Sequence, residues 1–250
     1  NPAVFTNLYT FRINITDDHL VQNASLAING SMFNATRVGT TNNFEANVTS
    51  LGVGSHTYTW TAVDPSNNSN TTASSQYNVT PAGANVVFTL NGIATNVSAS
   101  KGSTLTLFAN VTNTTGTFDI ILNGPTIASG TAPITVNNTF SAAGIVNVTA
   151  AFLGNQNFSA ANKTFTVNVI DVQAPVFGGE LITPANDSFF PSATYNFQRT
   201  VTDDVLVNNV TFQFDNVNRT ATRIGATDVF EANVTTLAAG NHTYRWFARD

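Results

Sequence analysis

The 250-residue chain has no cysteine, which excludes disulfide staples, thiolate nucleophiles and cysteine metal ligands. Charge is also scarce: Asp, Glu, Lys and Arg together make 9% of the residues, against about a quarter in an ordinary soluble protein. The only lysines are Lys101 and Lys163, and the net charge is −5. The absence of a basic patch argues against nucleic acid or an anionic membrane surface as partner. No apolar run approaches the ~20 residues that a membrane-spanning helix needs. No secretory leader stands at the front, so Asn1 is read as a mature start or an internal cut.

Asn, Thr and Ser supply the polarity instead. Apolar residues still make 42% of the chain, with 19 Phe, so a packed core is available. No stretch holds a 3.6-residue apolar period, whereas alternation recurs throughout. Ser103 to Val111, Ile145 to Phe152 and Thr164 to Ile170 read as strands. Asn29-Gly30, Asn91-Gly92 and Asn123-Gly124 supply positive-φ pairs of the kind that close hairpins. Many short strands separated by turn signals predict an all-β sandwich or barrel.

The chain also repeats itself. Residues 9–64 align with 195–250 at a fixed offset of 186 without a gap, and almost half of the 56 pairs are identical. Phe44 to Thr49 returns unchanged as Phe230 to Thr235, and His56-Thr57-Tyr58-x-Trp60 returns as His242-Thr243-Tyr244-x-Trp246. Fold and function are therefore read per repeat. The expected domains are 1–80, 81–171 and 172–250, with Asp171 to Pro175 as the second linker. At this offset Asn1 falls on Asp187, so the first domain is expected to lack its first strand, the counterpart of Val176 to Thr183. Asp250 falls on Asp64, so the third is expected to lack its last, the counterpart of Ser75 to Thr80. Either the chain is a window on a longer array, or neighbouring subunits supply the strands by complementation. An uncovered sandwich edge is prone to aggregate.

Twenty Asn-x-Ser/Thr tripeptides occur, starting at Asn14, Asn23, Asn29, Asn34, Asn47, Asn67, Asn70, Asn78, Asn96, Asn110, Asn113, Asn137, Asn147, Asn157, Asn162, Asn186, Asn209, Asn218, Asn233 and Asn241. Random order of the same 34 Asn and 55 Ser plus Thr gives about 7. In nine of them the middle residue is Ile15, Val48, Val79, Val97, Val111, Val148, Phe158, Val210 or Val234. On a strand this buries the middle residue and presents Asn and Thr to solvent, where a glycan can be attached. Covalent N-linked glycans are the one modification expected, with no cofactor. The competing reading makes Asn and Thr simply the uncharged wet face of a sheet.

Leu51-x-x-Gly54-x-His56-Thr57-Tyr58-x-Trp60-x-Ala62-x-Asp64, after Thr16-Asp17-Asp18, resembles the bacterial and archaeal immunoglobulin-like domains of cell-surface repeat proteins. In the middle domain, Ala150-x-Phe152-x-Gly154-x-x-Asn157-Phe158 resembles the Big-type repeats, with Phe at both of their Tyr positions. The resemblance implies tandem immunoglobulin-like β-sandwiches serving as stalks, adhesins, filaments or surface-layer components. With the density of acceptor tripeptides it implies an archaeal surface.

Chemistry beyond this is thin. His19, His56 and His242 suit packing or partial exposure better than catalysis, and no Ser/His/Asp or paired-carboxylate arrangement appears, so no enzymatic activity is expected. Asp17, Asp18 and Asp64, with their counterparts Asp203, Asp204 and Asp250, form the best acidic set. They would hold Ca²⁺ at a sandwich pole, or else accept backbone N–H bonds in turns, which is the favoured reading. The recurring Tyr58/Trp60 and Tyr244/Trp246 pairs are assigned to the core rather than to a carbohydrate platform. The sequence thus points to an extracellular structural glycoprotein that associates with itself. The alternative is an adhesin reading its ligand through loops such as Asn67 to Ser75 or outside this chain. The stretch Ala174 to Leu181 has no acceptor tripeptide and is the first place to seek a contact.

Overall fold

The computed structural model of the chain describes residues 2–187, 190 and 194–250, and every regular element among them is a β-strand. Strand pairing stays within three stretches of chain. In the first lie β1 (Ala3–Val4), β2 (Leu8–Asn14), β3 (Asn23–Ile28), β4 (Ser31–Arg37), β5 (Asn43–Thr49), β6 (Gly54–Val63), β7 (Ser69–Thr71) and β8 (Ser75–Thr80). The second holds β9 (Val86–Leu90), β10 (Val97–Ser100), β11 (Thr104–Val111), β12 (Thr117–Leu122), β13 (Thr126–Thr131), β14 (Ile134–Thr139), β15 (Gly144–Phe152) and β16 (Ala161–Ile170). The third holds β17 (Val176–Thr183), β18 (Thr194–Thr202), β19 (Asn209–Phe214), β20 (Val217–Thr220), β21 (Thr222–Arg223), β22 (Val229–Thr235) and β23 (Tyr244–Arg249).

The middle strands give the plainest immunoglobulin order. One sheet runs β14-β11-β9 and the other β10-β16-β15-β12-β13. That is strands E, B and A facing a sheet that contains G, F, C and C′. The first stretch follows the same path as one continuous sheet, β1-β8-β6-β3-β4-β5-β2, because β4 pairs with β3 through Ser31 to Ala35 and with β5 through Thr36 and Arg37. In the third stretch this crossing strand is broken at the buried Ala221 into β20 and β21, which belong to different sheets.

By compactness the chain divides into two units, Asn1–Val97 with Leu105–Asn138 and Val146–Val167, and Ser98–Thr104 with Thr139–Ile145 and Asn168–Asp250. Unit 1 has two large cores and a smaller cluster of Val21, Ala24 and Phe44. Tyr9, Phe11, Leu26, Val48 and Trp60 pack in the first, joined by Tyr77 and Val79 from β8. Phe88, Leu107, Phe118, Ile120, Val148, Phe152 and Val167 are completely or almost completely buried in the second. In unit 2, Tyr195, Phe197, Phe212, Phe214, Ala232 and Val234 form one cluster, and Val201, Val210 and Phe230 lie at the heart of the other.

The turn chemistry is local. Asn29 and Gly30 take φ of 48° and 81° and close the β3–β4 hairpin, as Asn123 and Gly124 (46° and 115°) close β12–β13. At the repeat of the first site, Asp215 and Asn216 take 45° and 66° and close β19–β20. Asn91-Gly92 departs from expectation: it has the positive φ values but joins β9 to β10, which lie in different sheets, and the turn itself closes with the single Leu90–Ile93 bridge.

The strand inventory at the ends is asymmetric. In the third stretch β17 pairs antiparallel with β18, whereas β2, the counterpart of β18, is the edge of its sheet. In the first stretch β8 covers β6, with Tyr77 against Phe11 at 4.7 Å. The counterpart of β6, β23, pairs only with β19 among the described residues. Tyr244 is consequently more open than Tyr58, so the second aromatic pair is only partly in the core.

Candidate functional site

The acceptor asparagines are spread over both units, and all are exposed except Asn110 and Asn157, which are half-buried. On the strands the cause is the two-residue alternation. Val48, Val79, Val111, Val148, Val210 and Val234 are buried, each directly after its asparagine; Ile15, Val97 and Phe158 are half-buried. In β5, Asn47 lies opposite Thr10 of β2 and accepts its hydroxyl proton at 2.8 Å, while Val48 lies opposite the buried Tyr9. Asn233 in β22 likewise accepts a bond from Asn196 at 2.8 Å.

Not all the side-chain amides are equally free. Asn14 donates to Asn43, Asn29 to the ring of His56, and Asn113 to the carbonyl of Gly83. Asn157 accepts the Val53 N–H at 3.3 Å and lies beside Gly52 and the Phe5–Phe158 edge-to-face pair, all within unit 1. The alignment of motifs could not show that this asparagine is used as a packing residue. Asn186 is exposed, but Ser188, the third residue of its tripeptide, lies outside the described residues.

His19 is exposed beside Asp18, at 3.3 Å, and the two repeated histidines are held by their neighbours. His56 is buried; its Nε2–H donates to Gly52 O at 2.7 Å and its Nδ1 accepts from Asn29 at 2.7 Å. At the repeated position His242 donates Nε2–H to Ala238 O at 2.9 Å and meets Asp215 at 2.6 Å through Nδ1. The Ala238 carbonyl, and next the Asp215 carboxylate, raise the His242 pKa above 6.5. The Thr243 N–H, and next His242, lower the Asp215 pKa below 3.8. No hydroxyl is held by either ring among the bonds of the described residues, so neither has the geometry of a nucleophile's base.

The acidic residues behave mainly as turn formers. Asp17 accepts the N–H groups of His19 and Leu20, and Asp203 those of Val205 and Leu206. Asp64 accepts from Ser66, Asn68 and the Asn68 amide, and the Asn68 side chain is the main cause of its lowered pKa. The groups drawn together are Asp17, Asp18 and His19, and Asp171, Asp203 and Asp204; Asp64 and Asp250 belong to neither. The linker residue Asp171 was missed by sequence because its partners lie some thirty residues away with no motif between them.

An open groove of about 370 Å³ in unit 1 is lined by Ile13, Trp60, Asp17 and Asp64, and two acceptor asparagines, Asn14 and Asn70, stand on it.

No family model matches the chain, and no curated protein matches it. Among solved structures it is similar to titin domains I67–I69 at 11% identity, covering all of this chain and 90% of that one, with a TM-score of 0.48. It is also similar to a 1.5-MDa bacterial ice-binding adhesin described for host cell surface retention, at 15% identity, 97% and 90% coverage and a TM-score of 0.32. The fibronectin(III)-like modules of Clostridium thermocellum CbhA give 15% identity over 66% of this chain and 86% of theirs, with a TM-score of 0.31.

Proposed function

We propose that this chain is a stretch of an extracellular, N-glycosylated array of three immunoglobulin-like sandwiches, 1–80, 81–171 and 172–250, with a structural rather than enzymatic role. The observation that supports it is the disposition of the acceptor asparagines: all but two exposed, on both units, and six of them each followed directly by a buried valine. Glycans at these positions take over the solubilising work that charge does elsewhere, since charged residues are only 9% of the chain. They also shield sheet edges from unwanted pairing. The array forms a filament, stalk or surface-layer element, on the surface of an archaeal cell.

The association that builds such an element is between neighbouring domains or subunits, with strand complementation through main-chain hydrogen bonds as its mode. The experiment is sedimentation of the native protein from its own cells, with glycopeptide masses measured in parallel. Concentration-dependent self-association and glycan at the exposed asparagines are expected. A bare monomer sinks the reading.

One observation favours an adhesin as the second reading. Val176 and Leu181 of β17, with Val172 before it, are exposed apolar residues in a stretch without acceptor tripeptides. Under that reading the glycosylated protein stays monomeric and Val176→Asp abolishes binding to the target surface; under the structural reading the same change weakens self-association.

A further inference from the structure

Unit 2 gathers three carboxylates that the sequence keeps apart. Asp171 follows β16 directly, and Asp203 and Asp204 follow β18. One oxygen from each lies within 4.8 Å of the others. One oxygen of each of the first two is accounted for: Asp171 Oδ1 accepts the Gln173 N–H at 3.1 Å, and Asp203 Oδ1 those of Val205 and Leu206 at 2.8 and 3.1 Å. The second oxygen of each is not. Asp171 Oδ2 and Asp203 Oδ2 are both fully shielded from solvent and neither has a hydrogen-bond partner.

An ionised oxygen withdrawn from water without a partner is strongly disfavoured, and two of them side by side more so. Something positive belongs between them. Lys101, from the β10–β11 turn in the same unit, provides one charge, but its Nζ is committed to Asp204, at 2.6 Å from both Oδ2 and the backbone oxygen. One ammonium against three carboxylates leaves the pair formed by Asp171 and Asp203 uncompensated. The donors are oxygens only, with no imidazole or sulfur, which suits a hard cation. Calcium fits better than magnesium, because it accepts irregular carboxylate geometry and completes its shell with carbonyls and water.

We propose that Asp171, Asp203 and Asp204 bind one Ca²⁺, with the two shielded Oδ2 atoms as its primary ligands. The ion ties the segment after β16 to the end of β18. Within this chain the equivalent pair of the first repeat serves as an internal comparison. Asp17 and Asp18 are the counterparts of Asp203 and Asp204, but their group is exposed, has His19 as its third member and includes no shielded, unpartnered oxygen.

The test is calorimetric titration of the 250-residue chain with CaCl₂, and thermal melting with and without EGTA. One equivalent of Ca²⁺ should bind. Asp171→Asn with Asp203→Asn should weaken binding at least about tenfold, and Asp17→Asn with Asp18→Asn should leave it unchanged. Because the first pair of changes also touches turns, Lys101→Met serves as the opposite probe: removing the competing ammonium should tighten binding several-fold. Absence of both a binding heat and an EGTA effect in the unaltered chain overturns the proposal. So does binding that survives the Asp171/Asp203 changes.

Discussion

Adjacent residues of β5 separate the core from the coat, and substituting each in turn makes the separation measurable. Val48 is 1% exposed and packs with Tyr9, Phe11, Leu26 and Trp60. Val48→Ala removes two carbons, worth about 1.6 kcal/mol at roughly 0.8 kcal/mol per buried methylene. The cavity left among large aromatic neighbours brings the loss to about 2–3 kcal/mol. Asn47→Gln removes only a solvent-side bond from Thr10, and should cost no more than about 0.5 kcal/mol. Trp60 and Trp246 are the only tryptophans. In a Trp246→Phe background Trp60 therefore reports on its own core during denaturant unfolding. Glycopeptide mass of the 44–49 segment reports on the coat. The expected pattern is a large stability loss with glycan retained for Val48→Ala, and the reverse for Asn47→Gln. The same pattern should recur at Val234 and Asn233 with Trp246 as reporter. Equal losses for both changes, or a Val48→Ala cost below about 0.5 kcal/mol, would refute the alternation on which the argument rests.

The His242–Asp215 pair makes the third repeat pH-sensitive. The raised His242 contributes stability that is complete below its ordinary value of 6.5 and is lost as pH rises through its folded value. The lowered Asp215 contributes above 3.8 and is lost as pH falls through its folded value. Stability followed by Trp246 fluorescence should thus be greatest between about pH 4 and 6.5. Asp215→Asn, which copies the Asn29 arrangement, should flatten the fall above neutrality. Gly154→Ala should destabilise by about 1–3 kcal/mol in a melt. Its φ is +83° and a Cβ there would stand 2.9 Å from Ala160 N and 3.1 Å from Phe158 O. Glycan occupancy should be lower at the half-buried Asn110 and Asn157 than at Asn47, Asn209 and Asn233, as read by peptide mass spectrometry.

Much of the sandwich was legible because strands write their exposure directly into alternation. The predicted Ser103 to Val111 strand is β11 but for its first residue, and Ile145 to Phe152 is β15 but for Gly144. The glycine of the Big-type signature is explained by its positive φ and by the Phe158–Ala160 backbone that presses on it. What stayed hidden depends on distant pairing. Whether an Asn-Gly step closes a hairpin depends on which sheet the next strand joins, and Asn91-Gly92 shows the difference. Glu180 of β17 accepts bonds from Tyr244 and Trp246, more than sixty residues further along the chain. The Asp171 cluster required knowing that the end of β16 returns to the end of β18, and no local pattern encodes that.

The central claim, a glycan-coated structural array, is tested most directly by electron microscopy of the native protein taken from its own cells. Filaments or a lattice, with density branching from the exposed asparagines, are predicted. Separate, unassociated strings of domains with bare asparagines would contradict it.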